Sequence, residues 1–401
     1  MTVLPTSFFA LMVDVLAAGP DRFCDDLQQL GVDGVTVATS YHASRDLLPR
    51  AGGPMLVDLP AGALYFPPDT SIYPSETPPW APPPYDTDDV LDRLRAVCTE
   101  RGMTLTAWTV FGFNERLGRQ GPELCQRTAF GDPLTSDLCP ANPVTQAYYR
   151  ALAEDVASHA PDVLLSESLH YQPARLTRRF LELDGPAKLA LSLCFCEHCA
   201  AEAAHAGVDI DAVSRWAREA IGAAYSGAAN ERPQRLPLDD MSMAAGGAVA
   251  ALLDVRAATV ASLASSIAQV LHRSEVTLCF MDQAAAEPGL LGTRTVDDVL
   301  RFGVDIAAIS DVVDSYQMLA YASEADSVAA DVEDYRTALG GRADLRVALR
   351  PTVPDSGDVD NLVAKLRAAI DRGAAGVDFY NYSLADQGAL LRVRDALTEL
   401  R

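Results

Sequence analysis

Positive charge is scarce in this chain. Thirty-two lysines and arginines face 55 acidic residues over 401 positions, for a formal net charge of −23. Such a balance repels phosphate backbones and anionic lipid over at least a Debye length, which argues against nucleic acid or a membrane as partner. Uninterrupted apolar stretches approaching the ~18 residues that span a bilayer are also missing. The apolar run Ser7-Phe8-Phe9-Ala10-Leu11-Met12-Val13 has no Lys or Arg before it and meets Asp14 directly after it, so it reads as a buried first strand rather than a secretory leader. No GxGxxG or GxxxxGK[ST] follows a strand-like run, and neither a GxSxG elbow nor an HExxH helix occurs. No organic cofactor is therefore expected. What is present, 49% hydrophobic and 22% charged residues, suits a large globular core.

Eight short apolar runs follow one another at residues 8–15, 34–39, 104–110, 163–167, 276–282, 312–319, 345–350 and 376–382. Amphipathic helical patterns fall at 21–30, 87–101, 144–159, 248–272, 296–302, 327–339, 358–372 and 387–400. Alternating strands and helices imply parallel pairing through right-handed crossovers, and eight such units close into a single (β/α)8 TIM barrel spanning residues 1–401. Glycine punctuates several joints, at Gly31-Val32-Asp33-Gly34, Gly303-Val304-Asp305 and Gly373-Ala374-Ala375-Gly376, where a helix stops and a strand begins.

Two connections are long, after strands two and four, at the barrel end where active sites sit. Residues 52–86 are proline-rich and carry Tyr65, Phe66, Tyr73, Trp80 and Tyr85, which suits a stiff lid whose rings either stack on a substrate or pin the loop to the rim. Residues 171–246 form the second insertion, a wall of the cleft bearing a dense cluster of thiols.

That cluster is Cys194-Phe195-Cys196-Glu197-His198-Cys199. Three thiols within six residues converge on one soft cation with little loop entropy to lose, which reads as a structural zinc site. Cys139, in Leu138-Cys139-Pro140-Ala141-Asn142-Pro143, and Cys125 both compete for the fourth position. A Cys196–Cys199 redox pair and inert core thiols remain as alternatives. Eight cysteines, several placed for metal, fit a reducing compartment and a cytoplasmic location.

Leu164-Leu165-Ser166-Glu167-Ser168-Leu169-His170 places Glu167 at the carboxyl end of strand four, where partial desolvation suits a general acid. A structural salt bridge is its bland alternative. Asp282, ending strand five, is the second carboxylate expected at the mouth, against a buried hydrogen-bonded role. His42, His170, Tyr316, Tyr321, Arg350, Tyr382 and Trp80 are the expected pocket lining. Arg350 suits a substrate carboxylate or developing negative charge, or pairs with Glu167. His170 relays a proton or caps its loop.

A Glu ending strand four, a Cys-Pro-Ala-Asn-Pro turn upstream and a Cys-x-Cys-x-x-Cys downstream together resemble the zinc-containing β-galactosidases of glycoside hydrolase family 42. The resemblance covers residues 139–199 and implies Glu167 as acid/base, with Cys139, Cys194, Cys196 and Cys199 as ligands of a structural zinc. Two positions depart from the family: Ser166 stands where it has Asn, and strand seven reads Val347-Ala348-Leu349-Arg350-Pro351-Thr352 where it has a nucleophilic Glu. The family's retaining mechanism is thereby left open. The expectation is a glycoside hydrolase-like enzyme acting on a small glycoside. A non-hydrolytic isomerase, lyase or cyclase on a polar metabolite, or a carbohydrate-binding protein with a degenerate site, stand as alternatives. The expected partner is a small molecule or saccharide, and self-association into a homo-oligomer is left open.

Overall fold

A computed structural model describes residues 4–174, 183–226, 234–286 and 289–401. Residues 175–182 and 227–233 of the expected 171–246 insertion lie outside the described residues. Eight strands pair in parallel and in chain order: β1 (Thr6–Ala10), β2 (Gly34–Tyr41), β3 (Thr104–Val110), β4 (Val163–Glu167), β5 (Thr277–Met281), β6 (Ser315–Leu319), β7 (Asp344–Leu349) and β8 (Gly376–Phe379). Pairing of β8 with β1, and of β1 with β2, closes the (β/α)8 barrel. The outer layer comprises α1 (Pro20–Gln29), α2 (Val90–Arg101), α3 (Pro143–Ser158), α4 (Ala248–His272), α5 (Ile306–Ser310), α6 (Ala325–Leu339), α7 (Val359–Asp371) and α8 (Gln387–Leu400).

Local chemistry sets most boundaries. Asn142 caps α3 by accepting from Val144 N at 2.9 Å, with Pro143 at the first helical position. Asp358 and Asp386 cap α7 and α8 in the same way. The run 8–15 does not stay extended: β1 ends at Ala10 and a short helix, Met12–Ala18, follows. An apolar run buried on all sides has no periodicity to separate strand from helix, which is why the sequence pattern overran the boundary. Beyond β5 a 3-10 segment, Thr295–Phe302, ends at Gly303 and α5 restarts after Asp305 as cap, where one helix was expected.

By composition, the helical run Leu238–His272 that includes α4 is long and apolar enough to cross a membrane. Here α4 is an outer helix of the barrel, burying Val260, Leu263 and Ile267 in the core.

Strand alternation decides what faces the barrel axis. At the amino-terminal end Val163, Leu165, Cys279, Gln317, Arg346 and Asp378 line an internal cavity of about 50 Å³. There Arg346 grips Asp378 with two hydrogen bonds of 3.0 and 2.5 Å. Counting upward in twos, the same parity brings Trp108, Glu167, Gln283, Tyr321, Arg350 and Tyr380 to the axis at the opposite mouth.

The proline-rich connection behaves as a flank strap. Ala63–Leu64 pairs antiparallel with the end of β2, and Tyr65, Phe66, Tyr73 and Tyr85 are buried. Tyr73 donates to Asp155 at 2.7 Å and Phe66 meets His159 edge-on at 4.9 Å, both toward the carboxyl end of α3 and so toward the bottom of the barrel. Pinning, not substrate stacking, is what these four rings do.

Candidate active site and cysteine centre

Glu167 ends β4 pointing inward, 6% exposed. Its Oε2 accepts from the indole Nε1 of Trp108 at 2.6 Å, and its Oε1 from Nε2 of Gln283 at 2.5 Å. Trp108 is part of an aromatic floor: its ring centroid lies 5.1 Å from Phe9, 5.1 Å from Tyr41 and 6.0 Å from Tyr380. Tyr321 continues the floor 5.9 Å beyond Tyr380, and the Arg350 guanidinium stacks 3.5 Å from the Tyr321 ring centroid. A carboxylate on one side and a guanidinium on the other thus flank a cluster of aromatic rings packed mostly edge-to-face. Asp355 holds Arg350 through a 3.5 Å ion pair. Burial, with the charge of Glu167 next, pushes the Tyr380 phenol up to about 12, so it stays a proton donor across the working pH range.

At the rim His42 is sandwiched between Tyr41 at 4.1 Å and Phe113 at 4.6 Å. The hairpin Ser44–Leu47 with Leu56–Leu59 rises there. Arg45 and Leu47 are exposed, whereas Ser44 and Asp46 are half-buried on the opposite face. The charge of Asp46 acts on the phenols of both Tyr41 and Tyr380, which also feel Glu167, as Tyr321 does.

Other expected site residues lie elsewhere. Asp282 is 1% exposed and accepts from Tyr316 at 2.7 Å, Tyr335 at 3.2 Å and Ala284 N at 2.8 Å, in the layer between barrel and helices. One residue of strand parity separates it from Gln283, which takes the mouth position instead. Tyr316, on the same outer layer, leaves the pocket with it. Tyr382 likewise packs outward against Phe8 and Phe23, 5.8 and 5.3 Å away, while Tyr380 occupies the mouth. His170 is buried beside Phe302 with Nδ1 2.8 Å from the Tyr171 carbonyl. Trp80 lies in the flank strap, 38% exposed, with the Arg116 guanidinium 6.0 Å from its ring.

Burial raises the carboxyl of Asp282 above its ordinary value. A raised folded value favours the folded state while the group is protonated, and that contribution is lost as pH rises through it. Asp282→Asn should therefore leave turnover within about twofold and gain stability relative to wild type as pH rises above ~4. Urea unfolding midpoints between acid and neutral pH measure this, and a large loss of turnover in a folded variant would contradict the placement.

Four thiols meet behind the mouth. Cys139 follows the antiparallel hairpin Cys125–Arg127 with Pro133–Leu138, and its Sγ lies 3.9, 3.5 and 3.5 Å from those of Cys194, Cys196 and Cys199. The four sulfurs lie within 4.8 Å of one another and all are buried. A tetrahedral ion with ~2.3 Å metal–sulfur bonds requires sulfurs about 3.8 Å apart, so the donor set fits a soft divalent cation. Backbone N–H groups point at it: Arg127 N lies 3.4 Å from Cys194 Sγ, and Cys199 N lies 3.5 Å from Cys196 Sγ. Cys125 is outside the cluster, its thiol directed at the Gly118 carbonyl 3.6 Å away.

No known sequence family matches the chain, and no curated protein sequence is similar to it. Solved structures are. A β-galactosidase from the psychrophilic Marinomonas ef1 superposes with a TM-score of 0.59 at 11% identity, over 99% of this chain and 59% of that one. The catalytic domain of a β-amylase from Paenibacillus polymyxa gives 0.58 at 10% identity, over 99% and 98%. An α-L-fucosidase, isoenzyme 2 from Paenibacillus thiaminolyticus, gives 0.56 at 11% identity, over 95% and 46%. The likeness is one of fold. This chain spans about half the length of the fucosidase and the β-galactosidase, and nearly all of the β-amylase catalytic domain.

Sequence reasoning missed Trp108, Gln283 and Tyr380 at the mouth, and gave no role to Asp46 of the rim hairpin. The first three were within reach, since each is reached in steps of two along its own strand once the inward face is known.

Proposed function

We propose that this barrel hydrolyses a small glycoside, with Glu167 as the general acid. The observation that carries the reading is the Glu167 carboxyl at the end of β4, fixed by Trp108 and Gln283 beside a cluster of aromatic rings. The three structures it resembles bear glycosidase names, which favours the same reaction class. In the reaction Glu167 protonates the leaving oxygen as the glycosidic bond breaks, and water adds to the anomeric carbon. A second carboxylate must take the proton of that water. With Asp282 turned outward and Arg350 following β7, we assign this role to Asp46. A base acting through water needs ~6.5–9.5 Å between carboxyls and inverts the anomeric configuration.

Screening nitrophenyl glycosides and unmodified disaccharides for released sugar tests the assignment. Turnover lost in Asp46→Asn as well as Glu167→Gln supports it, and full activity of Asp46→Asn removes Asp46 from the mechanism. The outward Asp282 also favours a second reading, a non-hydrolytic barrel enzyme needing one carboxylate. Solvent deuterium entering substrate carbon without glycosidic cleavage would establish that one instead.

For the cysteine centre we propose zinc in a closed structural site formed by Cys139, Cys194, Cys196 and Cys199. Four thiolates leave no open position for substrate, so the ion would tie the 194–199 segment to the turn before α3 and supply no step of the reaction.

A further inference from the structure

Arg256, at mid-length in α4, is 1% exposed. Its Nη2 donates to the Ser192 carbonyl at 2.9 Å, while Nε and Nη1 have no hydrogen-bond partner among the described residues. No ion pair joins it to a carboxylate among the described residues. The groups whose charge it feels are Tyr171, Cys199, Cys194 and Cys139. Its guanidinium carbon lies 4.2 Å from the Tyr171 ring centroid, and the Tyr171 hydroxyl lies 3.6 Å from Cys199 Sγ. Gly303 permits this packing: at φ +70 a Cβ there would come 2.9 Å from the Tyr171 ring and 3.1 Å from Arg256 Cβ.

A guanidinium does not shed its proton inside a protein, so burial without an anion is strongly destabilising. Four thiolates around one divalent cation carry a net negative charge, and that charge is the compensation Arg256 otherwise lacks. We propose that Arg256 is the counter-charge of the loaded four-cysteine centre, a positioning residue that raises the centre's affinity for a soft divalent cation. This rests on the reading of the cluster as a metal centre. Through Tyr171, four residues after Glu167, the same contact ties that centre to the end of β4.

The inference makes an unusual demand on sign. Loaded protein should lose stability when Arg256 is made neutral, whereas metal-free protein, relieved of a buried charge, should keep or gain it. Wild-type protein, Arg256→Met and Arg256→Lys are reconstituted anaerobically with zinc, titrated against a chromogenic chelator, and melted with and without the metal. Arg256→Met should bind zinc about 10–100-fold more weakly, the range typical of outer partners of metal ligands, and show a smaller gap between loaded and metal-free melting temperatures. Arg256→Lys should recover most of the affinity. If Arg256→Met does not fold, Arg256→Gln is read by the same two measurements. Wild-type zinc affinity in a neutral variant, or equal destabilisation with and without metal, overturns the proposal. Wild-type protein that takes up no zinc overturns the metal reading beneath it.

Discussion

Glu167→Gln is expected to lower turnover by about 10²–10⁴-fold, the usual worth of a positioned general acid, with little change in KM. The amide can still accept from Trp108 through its carbonyl, and Gln283 can reverse its own amide to meet the new N–H, so the floor should stay intact and the melting curve should not move. The loss should depend on the leaving group. An alkoxide or sugar leaving group needs the proton and should suffer the full effect, while a dinitrophenolate, stable as an anion, should suffer far less. A uniform loss across leaving groups would make Glu167 a binding or structural residue, and full activity would remove it from the site.

The second large effect concerns the thiols. Cys199→Ser or Cys139→Ser should cost on the order of 4 kcal/mol, because each leaves three thiolates around an ion that wants four and opens a buried polar cluster. Metal removal by a chelator should act on the same segment. Limited proteolysis should then cut first within 183–226, before the barrel unfolds, and zinc should leave with a stoichiometry of one per chain. Cys125→Ser is the internal control: its thiol lies outside the cluster, so zinc content should be unchanged. Equal zinc loss from the Cys125 and Cys139 variants would contradict the ligand assignment.

Chemistry carried by residue type and spacing was legible without coordinates. Cys194, Cys196 and Cys199 announce their own convergence, the Cys-Pro-Ala-Asn-Pro turn contains its helix cap, and Glu167 is the last residue of a recognisable strand. The barrel was legible for a similar reason, since Gly31 and Gly373 mark joints where a helix stops and a strand begins; Gly303 does not, because α5 intervenes before β6. What stayed hidden is phase. Strands of a barrel are buried on both faces, so 276–282 reads as a mostly apolar run whose inward side cannot be picked out by alternation. That one-residue ambiguity put Asp282 at the mouth where Gln283 stands, whereas Tyr382 was misplaced because β8 ends at Phe379 and alternation no longer holds two residues past Tyr380. Arg256 was hidden differently: a single arginine in an apolar helix looks like a solvated residue until the thiols beneath it are in place.

The most direct test of the account is hydrolysis in ¹⁸O-labelled water with a glycoside turned over by the wild-type protein, the released sugar being followed by mass spectrometry and its anomer by NMR within the first turnovers. The account predicts one ¹⁸O at the anomeric carbon, none in the leaving alcohol, an inverted anomer, and loss of the signal in Glu167→Gln. Product formed without the label at the anomeric carbon, or labelled product formed equally well by Glu167→Gln, would contradict it.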